Sequence, residues 1–183
     1  MTSITTSSSE IREPLDHPVI DTDGRCLYNE FWDTRNKNKY PSIYEKALFI
    51  HNSLRSLAMQ YPISSVFIEQ SLHSFRSGFS SAQTLSTLSK INGIVSWHCY
   101  KIFKVKPEMI AATSARKTCG IKVAKGQKAK EVVLKYLLDN EPSFNIEYTK
   151  HGNPKPGSYD KADSIVIAKA GYILCQNTKN STS

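Results

Sequence analysis

A chain of 183 residues, 39% hydrophobic and 22% charged, holds enough apolar material for one domain with a real core, and no internal repeat asks for more. Its formal charge of +8 favours a polyanionic partner, nucleic acid before membrane. The longest apolar run, Ile165 to Cys175, is broken by Lys169 and is too short to span a bilayer, which leaves no transmembrane segment.

The opening "MTSITTSSSEIREP" has no hydrophobic run of the secretory kind, and Glu10 and Glu13 argue against an Arg-rich transit peptide. The expected setting is cytoplasmic, whether bacterial, nucleoid-associated or the host cytoplasm of a virus, and the chain is not expected to be secreted. Residues 1–17 and 176–183 read as solvated, disordered tails around a domain of residues 18–175. Cys26, Cys99, Cys119 and Cys175 form no C-x-x-C pair, so they read as reduced thiols rather than a zinc cage or a disulfide framework.

In chain order, "HPVIDTDGRCLYNEFW" places two β-prone runs around Asp23-Gly24, which predicts a hairpin. Ser42-x-x-Glu45 has the form of a capping box, and Ile43, Ala47, Ile50, Leu54, Leu57 and Ala58 recur at helical spacing, so a helix should run to about Tyr61. "SSVFIEQ" is short and apolar on both faces, as a central strand is. A long helix follows from Ala82 through Leu85, Leu88, Ile91 and Val95 toward Tyr100. "KIFKV" and "EMIAA" read as strand-like pieces around Pro107. A basic loop between Arg116 and Lys130 leads into "KAKEVVLKYLL", a helical stripe of Ala129, Val132, Val133, Tyr136 and Leu137. After the turn-rich "HGNPKPGS", a last helix spans about Tyr159 to Leu174. Strands alternating with crossover helices after an initial hairpin make the fold class α/β, a mixed sheet covered by helices on both faces.

Three acids stand out. Glu69 ends the central strand, and Asp160 and Asp163, spaced i and i+3, share one face of the last helix near its N-terminus. Taken singly, the aspartates suit the positive end of a helix dipole and Glu69 suits a solvated strand end. Taken together, a strand end and a helix start packed on one sheet can converge, and clustered carboxylates repel unless a divalent cation lies between them. Hard, oxygen-seeking Mg²⁺ or Mn²⁺ is the natural choice, and in a basic protein this indicates two-metal phosphodiester hydrolysis. In the loop after Glu69, His73, Phe75, Arg76 and Phe79 combine aromatic and cationic groups that can stack on unpaired bases; equally, the two phenylalanines can pack inward. The histidines are dispersed with no H-x-x-x-H, which speaks against zinc, and His98 reads as a packed side chain.

The strand "VFIEQ", the polar loop after it, the helix "AQTLSTLSKINGIVSWHCY", the basic "ARKTCGIKVAKGQKAKEVV" and "DKADSIVIA" together resemble the RuvC-type Holliday-junction resolvases of the RNase H-like superfamily. The resemblance covers approximately Val19 to Tyr172. It implies an RNase H-like sheet and Mg²⁺-dependent nicking, with Mn²⁺ as substitute, of opposed strands in a four-way DNA junction during recombination and repair. It also implies a homodimer, with the long helix from Ala82 to Tyr100 as the expected interface. By match of motif, Glu69 would be the second catalytic and metal-binding acid, and Asp160 and Asp163 the last two. The family also places lysines beside the scissile phosphate, with Lys117 and Lys130 the best-placed matches, and Lys130 is assigned a catalytic role. Arg76 and Phe75, with Arg116, Lys117, Lys122, Lys125 and Lys128, would contact DNA.

The family begins with an apolar strand carrying an Asp, whereas here "HPVID" looks like its second strand and "MTSITTSSSEIREPLD" before it is too polar for a central strand. Glu10, Asp16 or Asp21 would substitute only under a different threading. Two alternatives therefore stand beside the resolvase: a junction binder that has lost cleavage with its first acid, and an RNase H-like nuclease acting on another branched or hybrid substrate.

Overall fold

The computed structural model describes residues 2–6, 15–16, 18–34, 36–70, 82–155 and 157–180. Around Asp23-Gly24 the expected hairpin forms between β3 (Val19–Ile20) and β4 (Cys26–Tyr28), which pair antiparallel. Asp21 organises it: its Oδ1 accepts the Asp23 and Arg25 N–H groups at 2.8 and 2.9 Å, and Gly24 takes the positive φ of 80° that the turn requires. These backbone donors hold the Asp21 carboxyl below its usual range, and both Asp23 and Arg25 N–H groups converge on it within the turn.

Helix α1 (Ile43–Gln60) begins at the capping box read from sequence. Ser42 accepts the Tyr44 N–H at 3.1 Å, and Glu45 accepts the Ser42 N–H at 2.9 Å. After α1 come β6 (Ile63–Glu69) and α2 (Ala82–Phe103). Here the structure corrects the reading of "KIFKV": Lys101–Phe103 extend the helix, which stops where Lys104 adopts a left-handed φ of 60° and donates its N–H to Tyr100 O. Strand β7 (Glu108–Ile110) is as expected, but Ala112 already belongs to a further helix, α3 (Ala112–Thr118). The "basic loop" is therefore partly helical. α3 ends in a Schellman motif: Ile121 N–H bonds to Arg116 O at 2.8 Å, Gly120 N–H bonds to Lys117 O at 3.1 Å, and Gly120 has φ +72°. Helices α4 (Ala129–Asn140) and α5 (Ser158–Asn180) follow, α5 running into the segment read as a C-terminal tail.

The N-terminus brings the larger correction. Thr2–Thr6 form a strand, β1, at the centre of a five-stranded sheet ordered β4-β3-β1-β6-β7. It pairs antiparallel with β3 and parallel with β6, and β6 pairs parallel with β7. Leu15–Asp16 (β2) and Phe31–Trp32 (β5) make a second, two-stranded sheet. A polar sequence thus occupies a place that composition reserves for apolar ones. Ladder hydrogen bonds on both sides compensate its backbone, and β-branched threonine suits the extended conformation.

Strand β6 shows how the layers assemble. Val66 and Ile68 join Leu54, Leu57, Val95 and Cys99 in the core under α1 and α2, while Phe67 joins Ala162, Ile165 and Val166 under α5. Each of these large side chains is nearly dry, a gain of roughly 1.5–3 kcal/mol apiece. α5 lies so close to β6 that a Cβ at Gly171 would stand 2.2 Å from the Phe67 ring, so glycine there is a packing requirement. The result is the anticipated mixed sheet with helices on both faces.

Candidate active site

Glu69 is the last residue of β6, pointing to the α5 side as Phe67 does by strand alternation. Its backbone is pinned twice. Asn92, buried on α2, donates its side-chain N–H to Glu69 O at 3.3 Å, and Gln70 N–H donates to Ile110 O at 2.9 Å on β7. The strand therefore ends at a fixed point between α2 and β7. Asn92 was not singled out from sequence, because an Asn inside a helix ordinarily reads as an exposed residue.

Asp160 lies in the first turn of α5 and is buried, and Lys130 Nζ, from the first turn of α4, reaches its Oδ1 at 3.2 Å. Asp163 stands one turn further along. Burial pushes its carboxyl up to about 7; the Glu69 charge adds to this, Lys130 and Arg116 pull back, and Asp160 pushes again. The three acids, drawn from the end of β6 and the start of α5, thus share one electrostatic site, with Lys130 and Arg116 at its edge. Arg116, expected as a DNA contact, is drawn into the acids' neighbourhood because α3 packs against α5. Among the described residues no three His, Cys, Asp or Glu side chains are grouped closely enough to enclose an ion. The donors have the right chemistry for a hard divalent cation, carboxylate oxygens only, but they do not form a complete cage.

The remaining cations of the basic segment lie beside this site. Arg116, Lys117, Gly120, Ile121, Lys122 and Ala129 help line a groove of about 310 Å³ where the end of α3 meets the start of α4. Lys117, Lys122 and Lys125 are exposed, and Lys128 is exposed while paired with Glu131 at 2.9 Å. His73, Phe75, Arg76, Phe79 and Glu10 lie outside the described residues. Asp16 pairs in the backbone with Phe31 in the small sheet. Strand β1, which neighbours β6, carries no acid: it reads Thr-Ser-Ile-Thr-Thr, with Thr5 in register with Phe67 and Thr6 with Ile68.

No protein-family model matches the sequence, and no curated protein matches it. Solved structures do match. The chain is similar to Thermus thermophilus RuvC, with a TM-score of 0.67 at 14% identity over 97% of each chain. The T. thermophilus RuvC in complex with Holliday junction substrate gives 0.65 at 15% identity, over 97% of this chain and 96% of that one. The yeast mitochondrial Holliday junction resolvase Ydc2 gives 0.64 at 11% identity, over 97% of this chain and 80% of that one. The architecture is that of the RuvC-like, RNase H-like fold along nearly the whole chain. Among the described residues no helix is long and apolar enough to cross a membrane.

Proposed function

We propose that this chain is a structure-selective DNA endonuclease that recognises four-way junctions in recombination and repair and works as a homodimer in the cytoplasm or on the nucleoid. The observation that carries the reading is the convergence of Glu69, Asp160 and Asp163 beside a basic groove, on a fold whose solved neighbours include a RuvC bound to a Holliday junction. Acid and base lie where a phosphodiester needs them. The exposed lysines around the groove attract the backbone, and buried Asp160 with half-buried Glu69 and Asp163 lie beside it.

The roles follow from chemistry. Glu69, Asp160 and Asp163 would hold Mg²⁺, with Mn²⁺ as a less demanding substitute. When bound, the ion supplies Lewis acidity toward the phosphate and its attacking water. Lys130 neutralises Asp160 at 3.2 Å in the absence of other charge, and with DNA bound the same ammonium can turn to the phosphate. Arg116 offers a second cation from α3. Asp163, kept protonated up to about neutral pH by its surroundings, must give up that proton before it can serve as a ligand. Lys117, Lys122, Lys125 and Lys128 hold the backbone in the groove, and Arg76 and Phe75 would meet the unpaired bases at the branch.

Strand β1 favours a second reading, because a site with no acid on that strand binds a catalytic ion weakly, and positioning supplies much of the rate. On this reading the chain binds junctions and cuts them slowly or not at all. End-labelled four-way junction, duplex and RNA–DNA hybrid incubated with Mg²⁺ or Mn²⁺ test both readings. Cuts placed symmetrically in the junction support the nuclease, and junction-selective binding without cuts supports the binder. Equal binding to junction and duplex would overturn both, and cutting of the hybrid alone would move the substrate to RNA–DNA.

A further inference from the structure

Between α4 and α5 the chain folds a small hairpin that the site described above does not use. Tyr148 and Pro154 pair antiparallel, the Thr149 and Lys155 N–H groups donate to Asn153 O and Glu147 O at 2.7 and 2.8 Å, and Gly152 turns the tip with φ +77°. Thr149 Oγ1 accepts the Asn153 N–H at 3.2 Å, and Glu147 forms an ion pair with Lys155. The hairpin is thus ordered by its own polar contacts. Yet it buries little: within residues 147–155, Thr149 and Pro154 are half-buried and the others are exposed, Tyr148 at 52%. Ordering a segment costs conformational entropy that apolar burial ordinarily offsets, and here it does not. Order without a core suits a contact surface formed in advance of its partner.

Both roots of the hairpin are fixed to the start of α5. Before it, Phe144 is buried with Ala162 and Ile165, and Lys161 Nζ lies 5.8 Å from the centre of the Phe144 ring and donates to Asn145 O at 3.3 Å. After it, Ser158 N–H donates to Lys155 O at 3.2 Å. The same turn of helix carries Asp160. Each residue of an α-helix advances about 100° around the axis, so Lys161 and Asp163 stand about 200° apart. Asp163 feels the charge of Arg116 on α3, whereas Lys161 holds the root of the hairpin. The hairpin and the α3–α4 groove therefore flank the start of α5 from opposite sides. A helix with its side chains is about 10–12 Å across, the length of roughly three nucleotides at 3.4 Å each.

The exposed groups suit a nucleic-acid backbone. Lys150 supplies a cation, His151 and Asn153 supply side-chain N–H donors, and Tyr148 offers a ring that can pack on a sugar or a base. The one acid of the hairpin, Glu147, is engaged by Lys155, so it sets no open negative charge before a phosphate. We infer that residues 147–155 form a second DNA-contact element, which grips the strand passing over the acids on the side away from the α3–α4 groove. Lys150 and His151 meet its phosphates, and Tyr148 packs on the nucleotide beside them. This goes beyond the proposed function and rests on its DNA-binding part.

The test uses the full chain with fluorescent four-way junction and duplex in EDTA, where nothing is cut, over a range of salt. Lys150→Glu should weaken junction binding by about fivefold or more and lower the salt slope by about one. Tyr148→Ala should weaken it by about fivefold with the slope unchanged, because a ring contributes contact and no charge. A second readout locates the contact: Lys150→Cys carrying a photoactivated aryl azide should cross-link to the junction close to the branch. Unchanged affinity and slope in both variants, or cross-links confined to the ends of the arms, would overturn the inference. If Lys122→Glu with Lys125→Glu still weakens binding, the proposed function survives that failure. Junction bound no better than duplex by the unaltered chain would sink the proposed function instead, and loss of duplex affinity in the hairpin variants would then still uphold the hairpin contact.

Discussion

Strands β1 and β6 lie side by side and parallel at the centre of one sheet, yet their sequences have little in common. β6 reads Ile-Ser-Ser-Val-Phe-Ile-Glu, dry on both faces in its second half and ending in an acid; β1 reads Thr-Ser-Ile-Thr-Thr and has no acid at all. β6 buries Val66, Phe67 and Ile68, and β1 pairs with β3 on one side and β6 on the other. The difference teaches that a place in a sheet can be secured by two ladders of hydrogen bonds, while the chemistry on it depends on single side chains that the ladder does not choose.

The sharpest break in that comparison comes from the acids around the end of β6. Glu69→Gln, Asp160→Asn and Asp163→Asn should each lower junction cleavage by on the order of 100-fold or more, to the floor of a gel assay, with binding equal or tighter. Full activity in two of the three would remove the site from these residues. Charge reversal beside it comes next: Lys122→Glu with Lys125→Glu should weaken binding to every DNA tested by about tenfold and lower the salt slope by about two, since each phosphate contact accounts for roughly one. An unchanged slope in a fluorescence titration would take this surface off the DNA.

Packing around β6 gives a smaller, structural effect. In Gly171→Ala the new methyl meets the Phe67 ring at 2.2 Å, and such overpacking costs about 1–3 kcal/mol, read as a Tm lower by roughly 3–10 °C. A Tm within a degree of wild type would mean that α5 does not press on β6 as described.

The smallest effect is a dependence on pH, and its sign is opposite to that of most acids. The Asp163 carboxyl has a folded value of about 7, above its ordinary 3.8, so the folded state holds this proton more tightly than the unfolded state. Its contribution favours the fold at low pH and is lost as pH rises from about 4 through about 7. Asp163→Asn should therefore raise Tm at pH 8 by a few degrees and change it little at pH 4. A Tm gain of equal size at both values would mean that the effect is not one of ionisation. The variant that stabilises the fold is thus expected to be one that disables the site.

Much of this was legible in the sequence, for identifiable reasons. Ser42 and Glu45 announced α1 because a capping box satisfies backbone donors locally, and Glu69, Asp160 and Asp163 stood out as acids at a strand end and a helix start, which the fold brings within electrostatic reach of one another. β1 was missed because it relies on partners far away in the chain, and composition reports only what a segment buries. Helix α3 was missed although its end was visible in "RKTCGI": a glycine at the left-handed position followed by Ile121, an apolar residue that is buried. "KIFKV" was misread because a helix's last turn and a short strand share an apolar alternation. Asn92 at Glu69 and the pairing of His51 with His98 join residues 23 and 47 positions apart, and only the packing of α2 brings either together.

On the proposed function, the acids of β6 and α5 make a nuclease site that β1 leaves one acid short. Thr5 stands in register with Phe67, whose face of β6 also carries Glu69, so Thr5→Asp is the smallest change that would supply the missing charge. The deciding measurement is single-turnover cleavage of a labelled four-way junction in Mg²⁺ by the chain as it stands and by Thr5→Asp. The expected result is slow or absent cutting by the first, partly restored by Mn²⁺, and cutting faster by about tenfold or more in the second at unchanged junction affinity. Brisk cutting in Mg²⁺ by the unaltered chain, at a rate that Thr5→Asp does not improve, would contradict it and show that another residue already completes the site.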